Sequence, residues 1–163
     1  MTSDDFKTIL VAIDGSPESA AGLEKAIRQA ALEGAAKLHL VGVLEPPFLD
    51  VAEAGPLEIV KEYQSQEAYL THHLERARER LRAAGFETDP ELHRGSAKAT
   101  IVDRAKALGA DLIVIGGPCH GLWECGLRGC TACWVVRYAP CSVLVVRTPQ
   151  NQESSHSETG GKK

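Results

Sequence analysis

Near its amino terminus the chain reads Thr8-Ile9-Leu10-Val11-Ala12-Ile13-Asp14-Gly15-Ser16-Pro17. Residues 8–13 form a continuous apolar run rich in β-branched side chains, which is typical of a strand buried on both faces of a parallel sheet. Ser16 is a favoured helix N-cap and Pro17 suits the first helical position, so a helix is predicted from Pro17 to about Gly34. The segment therefore predicts a buried strand that leads through a tight turn into a helix.

The same alternation of strand and helix continues along the chain. Further strands are predicted at 38–44, 86–94, 111–115 and 143–146, and helices are predicted between them. Pro90 places the third strand at a sheet edge because proline cannot donate to the ladder. Five strands alternating with four helices predict an α/β fold: a doubly wound five-stranded parallel sheet in the order 3-2-1-4-5, with two helices on each face.

Composition limits the classes of partner. The chain has 163 residues and a formal net charge of -4, which gives no electrostatic footprint for nucleic acid or for an anionic membrane surface. Its start is acidic and has no apolar core, so a secretory signal is not expected and a cytoplasmic location is predicted. We expect one domain over residues 1–148 and a disordered polar tail over 149–163.

The topology also indicates where a ligand would bind. In doubly wound sheets, ligands lie beyond the carboxyl ends of the strands, where the strand order reverses. This rule selects Asp14-Gly15-Ser16 after the first strand and the loop 116–129 after the fourth. Neither segment offers a convincing set of nucleophile, base and orienting residue, so the protein is not expected to be an enzyme.

Three segments carry a resemblance to a known family. Residues 9–16, 109–116 and 129–147, in that order, resemble the first strand and turn, the fourth strand, and the closing helix and strand of universal stress proteins. The resemblance covers about residues 7–147. It implies the adenine-nucleotide alpha-hydrolase-like fold, a role in stress response or regulation, binding of ATP with Mg²⁺, and a homodimer formed through the last strand.

The family's glycine signature is only partly present. The family pattern is Gly, two residues, Gly, nine residues, Gly, then Ser or Thr. On this chain the four positions are Gly116, Cys119, Gly129 and Cys130, so the spacing is intact and two residues differ. Gly121 also fits the pattern.

The two differences predict weak nucleotide binding. A side chain at Cys119 obstructs the close approach of the backbone to phosphate, and the thiol of Cys130 is a weaker donor than a hydroxyl. The nucleotide-binding residues that the resemblance implies are Asp14, Gly15, Ser16, Val43, Gly116, Cys119, Gly121, Gly129, Cys130 and Thr131. Plainer roles stay open: Asp14 as a turn residue bonded to Ser16, and Ser16 as a helix cap.

All five cysteines lie between Cys119 and Cys141. Cys141 is interpreted as a buried structural thiol. Cys119, Cys125, Cys130 and Cys133 are an alternative metal set. Only Cys130 and Cys133 have C-x₂-C spacing, and strong zinc signatures have two such pairs, so no metal is predicted. Cys130, near a helix N-terminus, is expected to have a lowered pKa, so a thiol sensor with a Cys119–Cys130 disulfide is one alternative function. A protein-interaction module that does not bind nucleotide is another.

Overall fold

The computed structural model describes residues 6–34, 36–46, 55–117 and 130–148. The strands are β1 (Thr8–Ala12), β2 (Lys37–Leu44), β3 (Glu91–Arg94), β4 (Leu112–Gly116) and β5 (Ser142–Val146). The helices are α1 (Pro17–Glu33), α2 (Pro56–Ala83), α3 (Ala97–Leu108) and α4 (Thr131–Tyr138).

The strands form one parallel sheet in the order β3-β2-β1-β4-β5, which confirms the predicted topology. Helices α1 and α2 bury their apolar faces on one side of the sheet, around Val11, Leu40 and Val114. Helices α3 and α4 cover the other side, around Leu10 and Ile113. The central strands are therefore buried on both faces, as their continuous apolar runs predict.

The third strand is shorter than the sequence predicts. It covers only Glu91–Arg94, so Pro90 precedes the strand and does not lie within it, although the edge position is confirmed. Phe86, at the predicted start of the strand, instead closes the end of α2, because its backbone N–H donates to the carbonyl oxygen of Leu81 at 3.0 Å. A backbone donor used at the helix end is not available to a sheet ladder.

The turn between β1 and α1 is fixed by hydrogen bonds within the turn. Ser16 is the N-cap of α1, as predicted, and its hydroxyl accepts from the backbone N–H of Ser19 at 3.1 Å. The buried hydroxyl of Ser19 donates to the Ser16 carbonyl at 3.0 Å. Asp14 Oδ1 accepts from the Ser16 N–H at 2.9 Å. These bonds hold the carboxyl end of β1 and the first turn of α1 in one geometry.

Glycine lets the start of α1 approach the end of β4. A Cβ atom at Gly116 would lie 2.6 Å from both the Glu18 carbonyl carbon and the Ser19 nitrogen, distances that real Cβ atoms do not show. One helical turn further on, a Cβ atom at Gly22 would lie 3.5 Å from Val114 Cγ1, an ordinary contact. Gly116 is thus required by the packing of α1 on the sheet, whatever its role toward a ligand.

In the part of the chain that the structure describes, none of the helices combines the length and the apolar character that a membrane span requires.

Candidate functional site

A cleft of about 180 Å³ opens at the carboxyl ends of β1, β2 and β4, beside the first residues of α3 and α4. We call it the central cleft. It lies where the order of strands reverses, which is the expected position for a ligand in this type of sheet. Its lining residues are Ala12, Ile13, Asp14, Ser19, Val41, Val43, Glu45, Ala97, Ile101, Ile115, Gly116 and Thr131.

The walls of the central cleft are mostly apolar. Val41, Ile101 and Ile115 are each at most 5% exposed, so they form a rigid surface continuous with the core. Ligand pockets commonly combine such walls with a few placed polar groups that fix orientation. The central cleft can therefore hold a flat, weakly polar group, and the polar groups at its rim decide which one.

Asp14 supplies the first of these polar groups. Its Oδ1 is used by the turn, in the bond from Ser16, so the plainer role proposed from the sequence is present in the structure. Its Oδ2 has no hydrogen-bond partner among the described residues, and the residue is exposed at the rim of the cleft. A carboxylate oxygen accepts hydrogen bonds, so Asp14 can both hold the turn and receive a ligand hydroxyl or amine.

Glu45 supplies the second carboxylate. It follows β2 directly, and its Oε1 accepts from the backbone N–H of Ala97 at 2.8 Å. Ala97 is the first residue of α3, and the N-cap residue Ser96 makes no capping bond with its side chain. Glu45 therefore satisfies one of the backbone donors at the start of α3 that have no partner within the helix, in a position where the helix dipole favours negative charge.

The second helix N-terminus at the cleft belongs to α4. Cys130 is the N-cap residue, makes no capping bond with its side chain, and packs half-buried against the core formed by α3 and α4. Thr131, the first residue of the helix, lines the central cleft. Backbone N–H groups at such a position attract anions.

The family model described as the universal stress protein family matches residues 5–147. The chain belongs to the universal stress protein family. A protein of Staphylococcus haemolyticus that is named as a universal stress protein is 32% identical over 154 residues, which cover 94% of this chain and 92% of that protein.

Two solved universal stress proteins are similar in structure. One, in complex with cAMP, is 24% identical, has a TM-score of 0.70, and is matched over 89% of this chain and 99% of that chain. The other, from Arabidopsis thaliana with AMP bound, is 18% identical, has a TM-score of 0.67, and is matched over 92% of this chain and 97% of that chain. These likenesses confirm the adenine-nucleotide alpha-hydrolase-like fold.

The residues that the resemblance implies are distributed over two clefts. Asp14, Val43, Gly116 and Thr131 line the central cleft. Gly15 and Ser16 lie on the other side of the same turn, where they line a cleft between α1 and α2, which we call the α1–α2 cleft. Cys130 stands at the start of α4. Three further residues of the set lie outside the described residues: Cys119, Gly121 and Gly129.

Several lining residues of the central cleft were not identified from the sequence. Glu45 and Ala97 are the clearest, because Glu45 directly follows β2 and Ala97 begins α3. The rule that ligands bind beyond the carboxyl ends of strands applies to β2 as well as to β1 and β4. Applied to the second strand, it would have selected Glu45. No sequence signal distinguishes Ile101 from the other core residues of its helix.

The described cysteines do not form a metal site. Among residues 6–34, 36–46, 55–117 and 130–148, no group of three or more His, Cys, Asp or Glu side chains is placed to hold a metal ion. Cys133 is exposed on α4, and Cys119 and Cys125 of the alternative set lie outside the described residues. Cys141 is half-buried, and its burial, with a smaller contribution from the charge of Asp111, raises the pKa of its thiol. A raised pKa lowers the fraction of reactive thiolate, as suits a structural cysteine.

Proposed function

We propose that this protein binds an adenine nucleotide weakly in the central cleft and acts as a regulatory stress-response protein through its bound state. The observation that carries the proposal is the set of groups at the cleft: apolar walls, the unpaired Oδ2 of Asp14, and the N-terminus of α4 at Thr131. They match the three parts of a nucleotide, which are an aromatic base, a ribose with hydroxyl donors, and an anionic phosphate.

The family comparison supports the adenosine part of this proposal. The two similar structures contain cAMP and AMP, which have adenosine in common and differ in the form of the phosphate. A cleft of about 180 Å³ is smaller than typical pockets for whole ligands, which suits the base and ribose. ATP with Mg²⁺ is the proposed ligand, with the metal ion held mainly by phosphate and water oxygens.

Regulation by binding, without turnover, is part of the proposal. Within the described lining of the central cleft there is no histidine or lysine, and the hydroxyl of Ser19 is bonded to the Ser16 carbonyl. That lining gives no activated nucleophile with a neighbouring base. The thiol-sensor and interaction-module alternatives have no comparable support in the described residues, and the cytoplasmic location stays a prediction.

Substitution of Asp14 tests the proposed function. We expect Asp14→Ala to weaken ATP binding at least about tenfold, because a hydrogen bond to a charged acceptor contributes roughly 1.5–3 kcal/mol. Asp14→Asn should keep the turn bond to Ser16 and separate loss of charge from loss of the turn. Isothermal titration with ATP gives the affinities. Asp103→Ala, which removes an exposed carboxylate on α3 away from the cleft, is the matched control. Equal affinity in Asp14→Ala and the native protein would contradict the proposal.

Restoring the family signature tests the predicted weakness. The double variant Cys119→Gly and Cys130→Ser is expected to bind ATP more tightly by about 1–3 kcal/mol, the scale of a strained backbone or a missing hydrogen bond. The same titration, run on each single variant, separates the two contributions. Cys133→Ser, an exposed cysteine on the same helix, is the control. If the native protein already binds as tightly as the double variant, the interpretation of both cysteines is wrong.

We also propose that the protein is a homodimer that pairs through β5. This strand is a sheet edge, hydrogen-bonded only to β4 among the described strands. Open apolar edges invite pairing with another chain. Large apolar side chains are exposed beside it, with Leu144 on the strand 38% exposed and Val136 on the neighbouring helix α4 56% exposed.

A further inference from the structure

The α1–α2 cleft is larger than the central cleft and differs from it in chemistry. Its volume is about 550 Å³, and it lies between α1 and α2 on the opposite side of the β1–α1 turn. Ile13, Leu23 and Ala77 line it and are each 5% exposed, so its floor is apolar and belongs to the core. A volume of this size suits a small organic ligand.

One wall of the α1–α2 cleft is formed by an ion pair between Arg80 and Glu24. Arg80 Nε lies 2.6 Å from Glu24 Oε1, and Arg80 Nη2 lies 2.8 Å from Glu24 Oε2. This bidentate arrangement uses both oxygens of Glu24, which is the only acidic residue among the described lining residues. The pair is neutral as a unit, so the single charge of Glu24 does not balance a second cation in the cleft.

Arg76 is that second cation. It lies one helical turn before Arg80 on α2 and lines the same cleft. It has no hydrogen bond or ion pair with any described residue, whereas Arg78, Arg80, Arg82, Arg94 and Arg104 are all paired with carboxylates. The cleft therefore presents one uncompensated guanidinium above an apolar floor.

We propose that the α1–α2 cleft is a second ligand site, which binds a small aliphatic carboxylate. The guanidinium of Arg76 holds the carboxylate through two parallel hydrogen bonds, a geometry that matches its planar fork. The hydrocarbon chain lies on the floor formed by Leu23 and Ala77. This site does not rest on the proposed nucleotide binding, because the two clefts share only Ile13 and Ser19 among their lining residues and Arg76 lines the α1–α2 cleft alone.

The chemistry of the ligand is tested with a set of probes. Octanoate should bind saturably in isothermal titration, and each methylene removed, through heptanoate to hexanoate, should weaken binding about fourfold. Octylamine, which has the same chain and the opposite charge, should not bind. Inorganic phosphate should bind far more weakly than octanoate. Equal binding of phosphate would show a general anion site and would overturn the proposal, as would absence of octanoate binding.

The location of the site is tested with variants. Arg76→Gln should weaken octanoate binding at least about tenfold, because it removes a charge-assisted pair of hydrogen bonds. Ala20→Leu, which adds volume within the cleft, should also weaken binding, whereas Arg28→Gln on the exposed face of α1 should not. Thermal melts verify that each variant is folded. Unchanged affinity in Arg76→Gln, or full competition between octanoate and ATP, would show that octanoate binds elsewhere and would refute the assignment.

Discussion

Replacing Gly116 by alanine is expected to lower the free energy of unfolding by about 3 kcal/mol, at the upper end of the usual cost of overpacking. The added Cβ would lie 2.6 Å from two backbone atoms of α1, and backbone cannot rotate away as the end of a side chain can. Relief would require α1 to move off β4. Urea denaturation of the variant and the native protein measures the difference.

A matched substitution on the same interface should have the opposite sign. Gly22→Ala adds a Cβ at an ordinary 3.5 Å from Val114 Cγ1, in the interior of α1. Alanine in a helix interior is favoured over glycine by roughly 0.5–1 kcal/mol, so this variant should be more stable than the native protein. Equal stability of the Gly116→Ala variant and the native protein would show that α1 adjusts freely and that the close approach is not required.

Replacing Leu144 by lysine is expected to dissociate the proposed dimer, raising its dissociation constant about 100-fold or more. In a two-fold symmetric pairing through β5, each substituted residue lies near its copy, and two like charges brought together cost several kcal/mol. Light scattering at micromolar concentration should give twice 17.5 kDa for the native protein and 17.5 kDa for the variant.

The control for this experiment is Leu32→Lys. Leu32 is 82% exposed near the end of α1 and is not part of β5, so its replacement tests whether a surface lysine alone changes the association. A native protein that is monomeric at this concentration would contradict the dimer. A Leu144→Lys variant that stays dimeric would show that the chains associate through another surface.

The fold is predicted well from the sequence because the central strands have continuous apolar runs. The short, β-branched apolar runs at β1 and β4 are typical of strands buried on both faces, and Ser16 with Pro17 marks the start of α1 within one residue. The third strand is predicted less well, because Phe86 is apolar and β-prone yet is bound to the end of α2. Propensity does not reveal which of two neighbouring elements will use a backbone donor.

The site is predicted less completely than the fold. Asp14, Val43, Gly116 and Thr131 were expected at a nucleotide site, and the structure brings them to one cleft. Gly116 was interpreted as a glycine for phosphate, while the structure shows a packing reason that depends on residues 18 and 19. Such a contact joins elements about 100 residues apart, and no local pattern encodes it.

The carboxylate of Glu45 makes the two ends of the central cleft different in charge. Two helix N-termini lie at the cleft. The N-terminus of α3 is already bonded to a carboxylate of the protein, because the Ala97 N–H donates to Glu45 Oε1. A second negative charge at that end would meet repulsion. At the N-terminus of α4, the side chain of the N-cap residue Cys130 makes no capping bond. For the nucleotide that we propose, we therefore expect one favoured orientation, with its phosphate toward α4 and its base toward α3. In the proposed complex, Glu45 would thus select the orientation of the ligand without touching the phosphate.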